Sequence, residues 1–245
     1  MSPSPQIERL HLRQAVMLSL AVRSTFSPAR AWRHPSSHRS SQTLGITTTP
    51  MPNLVVIFGP PAVGKAAIGH ELAALTGYRF FHNHLTADPA AALFGWGGAQ
   101  FGRMVDTIRD VLLEEAAADV SIPGVIFTYV WDLCSEGETA TMARYAALFE
   151  RHGGKASFVE LTASLEARIG REGSAFRVGL KPAQRDVAAA KTRQVDMAAR
   201  YRMNSDGQLP IAYRHFTLST EDDEPKAAAG VIFKALKLRR ASPDA

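Results

Sequence analysis

The chain has 245 residues, of which 46% are hydrophobic and 21% charged, which is enough apolar material for one sizeable core or two small ones. This composition excludes collagen-like, coiled-coil and wholly disordered chains. The net charge of +5 lies in the first 50 residues, which hold six arginines and one acid, whereas the remaining residues hold 22 basic and 22 acidic side chains. The basic charge therefore gives no reason to expect that residues 51–245 bind nucleic acid.

A single cysteine, Cys134, excludes an internal disulfide framework and a cysteine-rich zinc site. No apolar run reaches the roughly 20 residues that a membrane-spanning helix needs. We therefore expect a cytoplasmic protein that has no membrane contact and does not depend on nucleic acid. The oligomeric state cannot be predicted from these features.

Residues 1–50 are rich in Ser, Pro, Arg and His and show no sustained hydrophobic periodicity. We predict a disordered N-terminal extension, followed by one domain over residues 51–245. Because Met51 stands directly before the first predicted strand, the extension is interpreted first as an upstream addition or a misassigned start. The alternative is a targeting segment, since an Arg- and Ser-rich, acid-poor composition is typical of transit peptides.

From residue 54 onward, the pattern predicts alternating strands and helices. Apolar runs predict strands at 54–58, 78–81, 124–131, 156–161 and 211–218. Helical spacing predicts helices at 64–76, 100–119, 138–152, 182–203 and 225–238, with a short helix from Ser164. In the helix at 100–119, the residues that follow helical spacing are Phe101, Val105, Ile108, Leu112 and Glu115. Five strands alternating with helices predict an α/β fold, a three-layer α/β/α domain around a parallel sheet.

The first strand-to-helix turn, Gly59-Pro-Pro-Ala-Val-Gly-Lys65, matches the phosphate-loop pattern G-x-x-x-x-G-K. Its glycines allow the backbone to wrap a phosphate, the following helix adds its positive end, and Lys65 is placed to bridge the β- and γ-phosphates of a nucleotide. The alternative is a Gly-rich structural turn. The predicted nucleotide-binding residues are Gly59, Pro60, Pro61, Ala62, Val63, Gly64, Lys65, Ala66 and Ala67.

The loop lacks the Ser or Thr that normally follows the lysine and ligates Mg²⁺, because Ala66 and Ala67 have no side-chain oxygen. ATP is thus the predicted cofactor, and Mg²⁺ a weaker inference. Asp132, at the carboxyl end of the third strand, is the candidate acid near the metal, and its alternative role is that of a strand-end or helix-capping residue. No residues are predicted as direct metal ligands.

Several motifs together resemble a known family. FGPPAVGK (58–65) and a downstream Arg-rich segment resemble the nucleoside-monophosphate-kinase and shikimate-kinase branch of P-loop proteins. With FHNH (81–84), IFTYVW (126–131), KPAQRD (181–186) and RYRMNS (200–205), the chain is similar to a bacterial group of shikimate-kinase-like ATP-binding proteins. The resemblance implies a P-loop NTPase fold with sheet order 2-3-1-4-5, ATP binding and phosphoryl transfer to a small acceptor.

The resemblance also implies a small mobile lid, at about 168–182. Lids of these kinases bring arginines to the transferring phosphoryl group, and the matching residues are Arg168, Arg171 and Arg177. The alternative is a solvated basic loop. With Lys65 and Asp132, these arginines are the predicted catalytic residues.

The chain departs from shikimate kinases after the second strand, where His82-Asn83-His84 replaces the Asp that orients the acceptor hydroxyl. In an extended segment, His82 and His84 share one face, so both imidazoles are predicted to line an acceptor pocket. The alternative is a polar strand-to-helix turn. The tripeptide is not a nuclease motif, and two further zinc ligands are not evident.

Three functions follow as hypotheses. The first is an ATP-dependent phosphotransferase acting on a small molecule. The second, motivated by Ala66 and Ala67, is a nucleotide-binding protein that does not transfer phosphate. The third, an RNA-directed kinase, has support only from the basic extension.

Overall fold

A computed structural model of the chain describes residues 51–172 and 187–240, all of which belong to one unit, Thr47–Ala245. The described residues contain a parallel sheet of five strands, β1 (Asn53–Phe58), β2 (Arg79–His82), β3 (Gly124–Tyr129), β4 (Ala156–Thr162) and β5 (His215–Ser219). Seven helices are described, α1 (Lys65–Thr76), α2 (His84–Phe94), α3 (Ala99–Ala118), α4 (Glu136–Arg151), α5 (Leu165–Gly170), α6 (Val187–Arg200) and α7 (Pro225–Ala235).

The strand order is β2-β3-β1-β4-β5, and every neighbouring pair is parallel. The predicted order and fold class are confirmed. β1 is the central strand because its apolar run is buried on both faces, with five of its six residues buried.

Alternate residues of β1 point into two cores on opposite faces of the sheet. Leu54, Val56 and Phe58 pack with side chains of α3 and α4. Val55 and Ile57 pack with side chains of α1 and α7. The helices therefore form an outer layer on each side of the sheet, as the three-layer prediction requires.

Two strands, β3 and β5, are shorter than predicted. β3 ends at Tyr129. Trp131 lies in the following loop, where its side chain is fully buried against Phe58 and Phe158. β5 begins only at His215, and the partly buried side chains of Ile211 and Tyr213 pack against the core from the preceding loop. In both segments, apolar residues pack against the core from a loop, which hydrophobic patterning does not separate from a strand.

Helix α2 was not predicted. It contains Pro89 after Asp88, a dipeptide typical of turns, yet it runs for 11 residues because Thr86, Ala87 and Ala90 bury one face. Within residues 51–172 and 187–240, no helix combines the length and the hydrophobicity that crossing a bilayer demands.

The carboxyl ends of all five strands meet at one edge of the sheet, because the strands are parallel. The loops that follow β1 and β2 carry the phosphate-loop pattern and the His-Asn-His tripeptide. This edge is where α/β folds bind ligands.

Candidate active site

The predicted phosphate loop forms the turn between β1 and α1. Gly59 has a φ of 138° and Gly64 a φ of 104°, backbone conformations that favour glycine, and Ala62 between them has a φ of 60°. A side chain on Gly59 would place its Cβ 2.4 Å from the carbonyl oxygen of Leu161 on β4. The turn therefore requires glycine at both positions that define the sequence pattern.

Lys65 begins α1 and folds its side chain back across the turn. Its Nζ donates hydrogen bonds to the carbonyl oxygens of Gly59, at 2.7 Å, and Pro60, at 2.6 Å. Phosphate oxygens are stronger acceptors for an ammonium than neutral carbonyls are. An anion bound in the turn would thus compete with these two carbonyl oxygens for the ammonium of Lys65.

Backbone amides supply the remaining donors of the loop. Pro60 and Pro61 have no N–H, so the donors begin at Ala62. The first turn of α1 adds N–H groups that have no partner within the helix, and Gly64 offers no side-chain cap to them. Because the positive end of a 12-residue helix lies here, this geometry is suited to a phosphate group.

The site offers few side chains that could bind Mg²⁺. Ala66 and Ala67 present methyl groups, and Asp132 uses its Oδ1 to accept hydrogen bonds from the backbone N–H groups of Cys134, at 3.1 Å, and Arg202, at 3.3 Å. These contacts tie Asp132 to the loop after β3 and to the segment after α6, whereas α4 is capped by Ser135, whose side chain accepts a hydrogen bond from the N–H of Glu138. In the described part of the chain, no cluster of three or more His, Cys, Asp or Glu residues is arranged to hold a metal ion.

The His-Asn-His tripeptide spans the turn from β2 into α2. His82 ends the strand and His84 begins the helix, so the segment is not fully extended, and the centroids of the two imidazole rings lie 6.5 Å apart. The Nδ1 atom of His84 is 2.7 Å from Oδ1 of Asp88, one helical turn later. In a neutral His84, this contact favours a proton on Nδ1, which makes Nε2 the basic atom of the ring.

Asn83 faces away from the histidines and contacts a residue that the sequence analysis missed. Its Oδ1 accepts a hydrogen bond, at 2.7 Å, from Nη2 of Arg109 on α3. Arg109 is only 3% exposed, and its guanidinium lies 5.2 Å from the ring centroid of Tyr129 and 5.6 Å from that of Phe127. The sequence signal was present, since Arg109 stands four residues from both Val105 and Leu113, on the buried face of α3.

Tyr129, at the carboxyl end of β3, completes this group of polar residues. Burial and the negative charge of Glu138 raise the pKa of Tyr129 to about 12. The hydroxyl therefore stays protonated at neutral pH and can donate a hydrogen bond. Burial also raises the pKa of Glu138, whose carboxylate accepts a hydrogen bond from the backbone N–H of Asp132.

Two of the three predicted lid arginines contact protein groups. Arg168 on α5 is buried, which lowers its pKa, and it donates a hydrogen bond to Oε1 of Gln194 on α6 at 3.3 Å. Arg171 donates hydrogen bonds to the backbone carbonyls of Thr220 and Glu221, after β5. Arg177 lies outside the described residues, as do Lys181 and Arg185.

Comparison with solved structures places the fold among kinase structures. The chain is similar to a candidate kinase from Chloroflexus aurantiacus, with 17% identity over 77% of this chain and 97% of the other, and a TM-score of 0.52. It is also similar to shikimate kinase from Bacteroides thetaiotaomicron (15% identity, 76% and 99% coverage, TM-score 0.48). A third similar structure is adenosine-phosphosulfate (APS) kinase from Mycobacterium tuberculosis in complex with AMPPNP and APS (14% identity, 77% and 99% coverage, TM-score 0.47).

No model of a protein family and no curated protein sequence matches the chain. At 17% identity, the likeness to the Chloroflexus structure shows a shared fold alone.

Proposed function

We propose that this protein is an ATP-dependent phosphotransferase that moves the γ-phosphoryl group of ATP to a small-molecule acceptor, within the shikimate-kinase-like branch of P-loop kinases. The observation that carries the proposal is the turn from Gly59 to Lys65. It combines two glycines at positive φ, a helix N-terminus and an ammonium that lies across the turn. Such a site stabilises the charge on a transferring phosphoryl group and needs no covalent chemistry from the protein.

In this proposal, the acceptor binds beside the carboxyl ends of β2 and β3. His84 accepts the proton of the acceptor hydroxyl at Nε2, because Asp88 lies at Nδ1. His82 lies next to it and lines the pocket, while Arg109 holds the side chain of Asn83. Arg168 and Arg171 support the lid through their protein contacts, and Arg177 is the arginine proposed to contact the phosphoryl group.

The test compares Lys65→Met with the wild type by calorimetry, using ATP with Mg²⁺. We expect affinity to fall by about 100-fold, because a charge-assisted contact to phosphate is lost. Lys191→Met, which removes an exposed lysine on α6, is the matched control and should bind as the wild type does. Unchanged affinity in Lys65→Met would refute the proposal.

A second candidate function is nucleotide binding without transfer. It is favoured by Ala66 and Ala67, which have no side-chain oxygen, and by Asp132, whose Oδ1 accepts hydrogen bonds from backbone N–H groups. Few ligands for Mg²⁺ therefore remain among the described residues. Titration of Mg²⁺ separates the two functions. ATP binding that is indifferent to Mg²⁺, with no transfer of labelled γ-phosphate across a panel of hydroxyl acceptors, supports the second function.

A further inference from the structure

The hydroxyl of Thr220, directly after β5, reaches the phosphate loop. Its Oγ1 donates a hydrogen bond to the backbone carbonyl of Val63 at 2.7 Å, while its own N–H donates to the carbonyl of Thr162 on β4 at 2.8 Å. Thr220 is only 2% exposed. One small side chain thus joins the loop after β1 to the ends of β4 and β5.

This contact fixes the direction in which a loop amide points. In a planar trans peptide, the C=O and the N–H of the same unit point in opposite directions. When Thr220 holds the carbonyl of Val63, the N–H of Gly64 must point away from Thr220. Gly64 precedes α1 and has a φ of 104°, so its amide belongs to the group of donors at the start of the helix.

A second contact holds Thr220 from the side of α5. Arg171 donates from Nη2 to the carbonyls of Thr220 and, at 2.9 Å, Glu221. The carboxylate of Glu221 accepts a hydrogen bond, at 2.7 Å, from the backbone N–H of Ser164, whose side chain caps α5. Arg171 is the residue after α5 and stands at the beginning of the predicted lid.

We infer that Thr220 is a positioning residue of the phosphate loop and that Arg171 couples the end of α5 to this loop through Thr220. Thr220 aims the Gly64 amide at the bound phosphate, and Arg171 holds the backbone carbonyl of Thr220, with its Nη1 3.5 Å from the Thr220 hydroxyl oxygen. The identity of the ligand rests on the proposed function, whereas the orientation of the loop does not. Thr220 contacts no substrate itself in this role, and neither does Arg171.

The test uses full-length Thr220→Val, which removes the hydroxyl and keeps the shape of the side chain. Without any nucleotide, we expect the amides of residues 62–66 to exchange hydrogen at least tenfold faster, with unchanged exchange in β1. With ATP and Mg²⁺, we expect Kd to rise about tenfold. Thr220→Ser keeps the hydroxyl and should restore both values, and Thr217→Val, an exposed threonine on the same strand, should change neither.

Exchange at residues 62–66 that equals the wild-type rate in Thr220→Val would overturn the inference, and so would faster exchange spread evenly over the whole sheet, which indicates a stability effect alone. Arg171→Gln tests the coupling. Faster exchange at both 219–223 and 62–66 supports it, and a change confined to 219–223 overturns it. Failure of the wild type to bind ATP would reject the proposed function, and the exchange experiment would still decide the role of Thr220.

Discussion

Gly59 shows how one residue fixes the geometry of the phosphate loop. Its φ of 138° suits glycine, and the space where a Cβ would stand is taken by the carbonyl oxygen of Leu161, at 2.4 Å. That oxygen belongs to the backbone of β4 and cannot rotate away. The loop and the neighbouring strand are therefore packed as closely as a residue without a side chain allows.

We predict that Gly59→Ala lowers the free energy of unfolding by about 2–4 kcal/mol, because the backbone must shift to relieve the overlap. Gly102→Ala is the matched control. A methyl group on Gly102, in α3, would meet no described atom within 4 Å, so alanine should raise stability by about 0.5–1 kcal/mol through helix propensity. Urea unfolding of both variants checks the prediction, and equal effects of the same sign would contradict it.

Glu160 is the most buried carboxylate near this loop, with 1% exposure. It lies on β4, where its oxygens accept hydrogen bonds from the backbone N–H and hydroxyl of Ser205, from Asn204 and from His215. Burial by itself raises the pKa of Glu160, but the hydrogen bonds of Ser205 and Asn204 and the charge of His215 outweigh it and leave the pKa below 4.5.

A folded-state pKa below the unfolded value means that ionised Glu160 stabilises the protein fully above about pH 4.5, and that this contribution is lost as the pH falls through the folded pKa. We predict that Glu160→Gln lowers the free energy of unfolding by about 1–3 kcal/mol at pH 7. The difference from the wild type should shrink below pH 4.5. A constant difference from about pH 7 to about pH 3.5, measured by urea unfolding, would show that the charge of Glu160 does not contribute.

At the scale of elements, α3 shows where hydrophobic patterning misplaces a helix face. The predicted spacing held Phe101, Val105, Ile108, Leu112 and Glu115, but Leu112 is 47% exposed, and the buried positions are Val105, Arg109, Leu113 and Ala117. The face is rotated by about one residue because an arginine occupies a core position. Its guanidinium is buried against Tyr129 and Phe127, which composition alone does not predict.

We predict that Arg109→Lys lowers stability by about 1–3 kcal/mol, because the ammonium remains charged and buried without the planar stacking and the fork of donors. Arg109→Met should cost less, since it buries no charge. Both variants should raise KM for the acceptor, because Asn83 loses its partner. The control is Arg103→Lys, an exposed arginine on the same helix. Thermal unfolding and acceptor kinetics check these results, and greater loss in Arg109→Met would be the contrary outcome.

At the scale of the whole molecule, five parallel strands bring segments from distant parts of the sequence to one edge. Val63 and Thr220 are 157 residues apart in sequence and share a hydrogen bond. Asn83, directly before α2, and Arg109 on α3 are 26 residues apart and also share a hydrogen bond. All of these contacts lie within residues 51–172 and 187–240.

We predict that a chain beginning at Met51 has the same melting temperature as the full chain. Adding ATP should raise that temperature equally in both chains, because a ligand that binds only the folded state increases the free energy of unfolding. Differential scanning fluorimetry with and without ATP and Mg²⁺ checks this. A lower melting temperature without residues 1–50 would mean that the extension contributes to the domain.

The sequence by itself determined the class of fold, the strand order implied by the family resemblance, and the position of the phosphate loop. These depend on local signals, namely buried apolar runs, glycines at a turn and helical spacing, and each acts over a few residues. Only the tertiary structure decided that Arg109 donates a hydrogen bond to Asn83, that Asp132 accepts one from the N–H of Cys134, that Arg171 donates to the carbonyl of Glu221, and that Thr220 donates to the carbonyl of Val63. Those contacts join residues that lie far apart in the chain. Their side chains are of the same types as those on an ordinary protein surface, so only the packing of the fold distinguishes them.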